Sequence, residues 1–258
     1  MRGRGFNGEG VLAIYRFEMA RALRTLWQSL VTPVITTALY FVVFGAAIGG
    51  RMTAMDGISF GAFIVPGLTL LSVFMQSISN ASFGIFFPKF TGTIYELLSA
   101  PISSAEIVLA YVGSAVTKSL ALALVTLATA TLFVDVRVEH PVLMVVFLFL
   151  ITTAFCLLGF LIGIWAKNFE QLQIIPMLIV TPLTFLGGAF YSTHALGEPW
   201  RTVTLFNPVV YLISGFRWTF FGTADVPLWS SVAVMLAIII ACLTAIAWVF
   251  KTGYRLKQ

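Results

Sequence analysis

The sequence predicts an all-α, polytopic membrane protein with six transmembrane helices in a single permease-like domain, residues 1–258. Three observations predict it. Of the 258 residues, 59% are hydrophobic and 10% charged, and the mean hydropathy is +0.99; soluble domains carry about 25% charged residues. Six apolar runs reach the roughly 20 residues that a spanning helix needs, near 30–50, 60–83, 105–133, 141–166, 172–191 and 228–250. Lys and Arg also sort by side. Arg2, Arg4, Arg16, Arg21, Arg24, Lys89, Lys167, Lys251, Arg255 and Lys257 fall on one side, against Arg51, Arg137, Arg201 and Arg217 on the other. The excess places both termini in the cytoplasm.

The elements follow in order. The first 25 or so residues are basic and amphipathic, with no short apolar core leading to a cleavage site, so they do not read as a signal peptide. Residues 9–27 place Leu12, Tyr15, Met19, Leu23 and Leu26 at helical spacing, with Arg21 and Arg24 largely opposite. That pattern predicts a helix lying in the headgroup plane, as an anchor or also as a contact for a cytoplasmic partner. Gly45-x-x-x-Gly49 in the first span and Gly159-x-x-x-Gly163 in the fourth allow close helix approach, within the chain or at a dimer seam. The second and third spans are joined at 89–103 by a short polar stretch. Thr93-Ile94-Tyr95-Glu96 and Ser103-Ser104-Ala105-Glu106 both have capping-box spacing. Pro101 between them disfavours helix at Ala100. Together they predict a separate helix of two turns or fewer, marginal on its own. Ile94, Leu97 and Leu98 would pack on the chain's own bundle or dock into another protein's groove.

Lys118 falls inside the third span, where an ammonium is expensive. It snorkels or pairs, or it borders an inter-subunit cavity. Pro176 and Pro182 each remove a backbone donor from the fifth span, as a compensated kink or as a flexible pathway wall. The 203–221 stretch contains Asn207-Pro208 and Arg217, so it predicts short or re-entrant helices on the outer side, within an outer segment 192–227. Its aromatics suit a membrane interface.

Several function classes are excluded. Cys156 and Cys242 sit in apolar runs and give no disulfide framework. The nearest P-loop match, Val112 to Ser119, has Thr117 where the second glycine belongs and lies inside an apolar helix. Apart from Glu106 at the start of the 105–133 run, the spans carry no acidic residue, which argues against a proton relay. Asp135, Glu139 and His140 form no catalytic constellation, and neither His140 nor His194 has the pattern of a metal site. The net charge of +5 is a matter of membrane orientation, with no nucleic-acid partner expected.

Three motifs, in order, carry a family resemblance: Glu96-Leu97-Leu98-Ser99-Ala100-Pro101, then "PLTFLGGAFYS" from Pro182, then "LGEPWRTVTLFNPVVYLISGFR" ending at Arg217. On six spans, they resemble the permease subunit of type-2 ATP-binding-cassette exporters. Two departures stand out: Gly197-Glu198 between Leu196 and Pro199, and Gly187-Gly188 where the family usually has Ser-Gly. The resemblance implies a transport subunit rather than an enzyme, in a bacterial cytoplasmic (inner) membrane. A second copy of the chain and two ATP-binding-cassette ATPase subunits would complete it, with ATP and Mg bound on the partner and no cofactor on this chain. Thr93, Glu96, Leu97, Leu98 and Pro101 would form the ATPase-coupling helix. Pro182, Gly187, Gly188, Phe190, Tyr191, Asn207, Pro208 and Arg217 would line the pathway or outer gate. The substrate implied is an amphipathic lipid, glycan conjugate or drug, moved outward. An ATP-independent channel or carrier, or a six-span enzyme acting on lipid, is the alternative reading.

Overall fold

Caps and prolines set where each helix begins and ends. The computed structural model describes residues 6–47 and 58–255. Helix α1 (Gly8–Arg24) is opened by Asn7, whose side-chain oxygen accepts from the Gly10 amide. It gives way at Thr25 to α2 (Leu26–Ala47), with a bend of 61°. α3 (Phe60–Thr91) is capped by Ser59 and stops at Gly92, a left-handed residue with φ +81°. Then come α4 (Ile94–Ser99), α5 (Ser104–Ala130), α6 (Pro141–Trp165) and α7 (Phe169–Ile175). A π-helical turn (Pro176–Val180) leads into α8 (Thr181–Leu186), and α9 (Trp200–Leu205), α10 (Pro208–Phe221) and α11 (Leu228–Thr252) complete the chain.

Among the described residues, five stretches are long and apolar enough to cross a membrane: α3, α5, α6, the continuous 169–186 stretch and α11. The bent α1–α2 pair makes up to six. The fold is therefore all-helical and polytopic, as the apolar runs predict. Two boundaries differ. The 60–83 span continues through Pro88 to Thr91 and stops at the left-handed Gly92. The 172–191 span is instead 169–186. It ends because Gly187 leaves helical geometry and Gly188 adopts φ +80°. Gly187 to Tyr191 thus lie beyond the helix. Pro176 is absorbed by the π-turn, in which the Thr181 amide reaches the Pro176 carbonyl five residues back. The short outer helices are found as α9 and α10, divided at Asn207 by Pro208. Gly49, Arg51, Arg2, Arg4 and Lys257 lie outside the described residues.

α3 is the centre of the bundle, and α6 packs along it. A Cβ on Gly159 would stand 2.5 Å from the Ile78 carbonyl oxygen, and one on Gly163 2.4 Å from that of Ser82. That small-residue spacing therefore serves α3–α6 packing inside the chain. Phe74 and Phe155 stack across the same seam at 4.1 Å. The 169–186 stretch and α11 leave most of their surface facing outward.

Candidate functional site

Functional side chains gather at two ends of the bundle. One end carries α1, α4 and the end of α11. Here the second capping box forms in both directions: the Ser103 amide donates to Glu106 Oε2 at 2.6 Å, and the Glu106 amide donates to Ser103 Oγ at 3.3 Å. Glu106 Oε1 also accepts from the Asn7 amide at 2.5 Å, and Asn7 Nδ2 donates to the Pro101 carbonyl at 3.1 Å. One carboxylate therefore ties α1 to the start of α5 and to the α4 loop.

The first capping box does not form, which corrects the expectation for Thr93. Thr93 has helical dihedrals, φ −65° and ψ −11°, and an N-cap needs extended ones. The Gly92 amide bonds the Lys89 carbonyl, three residues back, so the Pro88 carbonyl lacks its helical donor. The hydroxyls of Thr91 and Thr93 donate to it instead. α4 is still a separate two-turn helix, and Ala100 is extended before Pro101. Ile94 is 2% exposed, and Leu97 and Leu98 are half-buried against the same cluster. Thr93, Tyr95, Glu96 and Ser99 face outward. The outward face is thus more polar than the Leu-Leu pair alone suggests.

Three side chains at this end were not legible in the sequence. Lys89 Nζ donates to the carbonyls of Ile164 and Ala166 at 2.6 and 3.0 Å, and Arg255 donates to that of Trp165 at 2.7 Å. These cations close the end of α6 where the helix leaves carbonyls unpaired. Glu18 is the other surprise, only 7% exposed on α1 and ion-paired to Arg21. Glu18 Oε1 and Arg21 Nη1 have no partner. The pair lies beside Gly84 of α3, where a Cβ would stand 3.7 Å from Glu18 Oε2, in ordinary contact. Burial pushes the Glu18 carboxyl above its ordinary range, while Arg21 and Lys118 pull it down. Lys118 is half-buried within electrostatic reach of Glu18 and belongs to none of the ion pairs among the described residues. The available signal was the Val11, Ile14, Glu18 spacing, an acid on the docking stripe with Arg three residues on.

The opposite end brings Gly187, Gly188, Asn207 and Arg217 together. Arg217 is 3% exposed. It donates to the Gly188 carbonyl at 2.6 Å and to Asp225 Oδ2 at 3.2 Å, and its guanidinium lies 4.0 Å over the Phe63 ring. Burial lowers it to about 10 and Asp225 raises it, so it stays charged near neutrality. Asp225 also accepts from Ser192 Oγ and the Thr193 amide. Sequence reasoning missed Asp225, which joins Arg217 eight residues back to Ser192 and Thr193, 33 and 32 residues back. Asn207 caps α10 through the Val209 amide and donates to the Leu183 carbonyl at 2.6 Å. That carbonyl is free because the Gly187 amide turns to Thr184. A Cβ on Gly67 would stand 2.1 Å from the Ala189 carbonyl oxygen, so α3 presses on the Gly187–Gly188 turn. Phe190 and Tyr191 are half-buried at the edge, while Pro182 and Pro208 are exposed on their helices. No group of three His, Cys, Asp or Glu that could hold a metal occurs among the described residues.

Comparison with known proteins fits this layout. The ABC-2 type transporter family matches residues 9–221. The chain is 40% identical to the inner membrane transport permease YadH of Escherichia coli (strain K12), over 89% of this chain and 90% of that protein. The same values hold for YadH of Shigella flexneri. It is 25% identical to nodulation protein J of Rhizobium meliloti (strain 1021), over 82% of this chain and 81% of that one.

Proposed function

Because this chain belongs to the ABC-2 type transporter family, we propose that it is the permease of an exporter, driven through α4 by an ATP-binding subunit. As a member of that family it is a membrane transport subunit rather than an enzyme, multi-pass in the inner membrane, and it works with an ATP-binding partner. The finer reading is ours. Two copies form the pathway above two ATPase subunits, which hold ATP and Mg. Both termini are cytoplasmic, and the cargo is an amphipathic lipid, glycan conjugate or drug moved outward.

One observation carries the reading: α4 is anchored by Ile94 and offers Thr93, Tyr95 and Glu96 outward between the two bundle helices α3 and α5. Leu97 and Leu98 serve both faces, half on the bundle and half on the partner, and Pro101 holds the break that keeps α4 distinct. Closure of the ATPase pair would move α4, α3 and α5 as rigid bodies. At the far end the turn at Gly187 and Gly188, the rim residues Phe190 and Tyr191, and Asn207, Pro208 and Arg217 would form the outer gate. Pro182 would sit in the adjoining pathway wall.

The test is reconstitution of the permease with its ATPase in vesicles. Glu96→Lys should leave the permease folded and inserted while ATP-driven transport falls at least tenfold, because the charge now repels its groove. Undiminished transport in that variant would defeat the coupling reading. Flux without any ATPase would favour a channel or carrier instead.

A further inference from the structure

We propose that the groove between α1, α5, α6 and α11 binds one anionic phospholipid from the leaflet on the α1 side. The groove has a volume of about 970 Å³, at the upper end for ligand pockets. Its walls are apolar, including Val112 and Val116 of α5, Leu157 of α6 and Ile246 of α11. Its charge lies at the end where α5 begins and α11 stops. Lys251, in the last turn of α11, lines that end, is exposed, and belongs to none of the ion pairs among the described residues. The first turn of α5, at Ser104 and Ala105, lines it too. Glu106 in the same turn is an anion held by the Ser103 and Asn7 amides, so Lys251 is the cation left for a headgroup. An apolar slot between spanning helices with a free cation at the membrane surface fits acyl chains below an anionic headgroup.

Gly113 is an independent observation. It lies mid-helix in α5 on the groove wall, and a Cβ there would meet nothing within 4 Å. Glycine inside a helix costs about 1 kcal/mol relative to alanine. Gly159, Gly163 and Gly67 answer a close backbone approach, but Gly113 answers none. The room it leaves belongs to the groove. α1 crosses that room, with Tyr15 on the lining and its hydroxyl donating to Thr117 at 3.0 Å.

Val112, Val116, Leu157 and Ile246 also belong to the buried cluster on which Ile94 of α4 rests. A lipid in the groove therefore braces the packing under α4. That consequence rests on the coupling reading; the binding itself does not.

The test is native mass spectrometry on the permease purified with its ATPase in mild detergent. Thermal unfolding with added phosphatidylglycerol or phosphatidylcholine complements it. One retained phospholipid per permease copy is expected, with phosphatidylglycerol giving the larger rise in Tm. Lys251→Gln should weaken phosphatidylglycerol binding by about tenfold, the effect of one charge-assisted contact. Gly113→Leu, which fills the groove, should abolish retention while the ATPase complex persists. Lys251→Gln, at an exposed position, decides the matter even if Gly113→Leu fails to assemble. Equal stabilisation by the two lipids, a preference unchanged in Lys251→Gln, or cross-links placing a second permease copy in the groove would each overturn the proposal. A loss of ATPase coupling with lipid binding intact would count only against the reading of α4.

Discussion

Arg217 meets three kinds of partner at once: a carboxylate, a backbone carbonyl and an aromatic face. Each alone is modest, but a buried guanidinium without its carboxylate is not. Asp225→Ala should therefore cost about 3–5 kcal/mol, because it strands a buried charge. Replacing both partners, as Arg217→Met with Asp225→Leu, should cost much less than the two single changes summed. Thermal unfolding of the four proteins checks this, and strictly additive losses would contradict it. Arg217 itself was legible, because a basic residue in an apolar outer segment demands a partner. Asp225, eight residues on, was not, because it lies past the left-handed Gly222 that ends α10, in a turn held back onto the helix by Ser214.

At the scale of the element, α1 shows what periodicity can and cannot reveal. Of its predicted stripe, Leu12 and Leu23 are exposed, while Tyr15 and Met19 are half-buried. Its docking face is a second stripe, through Ile14 and Glu18, that a hydrophobic pattern does not mark. Since burial raises the Glu18 carboxyl, the folded state favours its protonated form. The stability it contributes is present at low pH and is lost as pH rises through the raised value. Amide exchange across residues 8–24, corrected for its intrinsic pH dependence, should show α1 opening more readily as pH climbs above the ordinary carboxylate range. Glu18→Gln should flatten that dependence. Glu18 faces Arg21 of its own helix and Lys118 and Tyr111 of α5, so the effect is a small difference between opposed contributions. The 93–96 and 103–106 stretches teach a related lesson. They share a spacing, but only Ser103 has the extended backbone that a cap requires.

For the whole molecule, the six apolar runs and the breaks at Pro101 and Pro208 were legible, because the bilayer and proline geometry act locally. The Lys89 and Arg255 closures of α6 were not, because they join elements 75 to 90 residues apart. They also fix the end of α11 beside α1 and α4. If that end is cytoplasmic, single cysteines at Asn7 and Tyr254 should resist a membrane-impermeant reagent in intact cells. One at Glu198 should react. The reverse pattern would invert the proposed orientation. The native Cys156 and Cys242 are buried and should stay silent. α3 runs through all of this as one helix, roughly 48 Å at the usual rise per residue. Phe63, beneath Arg217, is near one end, and Lys89, beside the α4 loop, is near the other. Along the seam with α6, Gly159 and Gly163 leave no slack for sliding. In mechanical terms α3 and α6 are keyed together: on the coupling reading, a displacement at the α4 end of α3 would carry α6 with it toward Arg217 rather than slide past it.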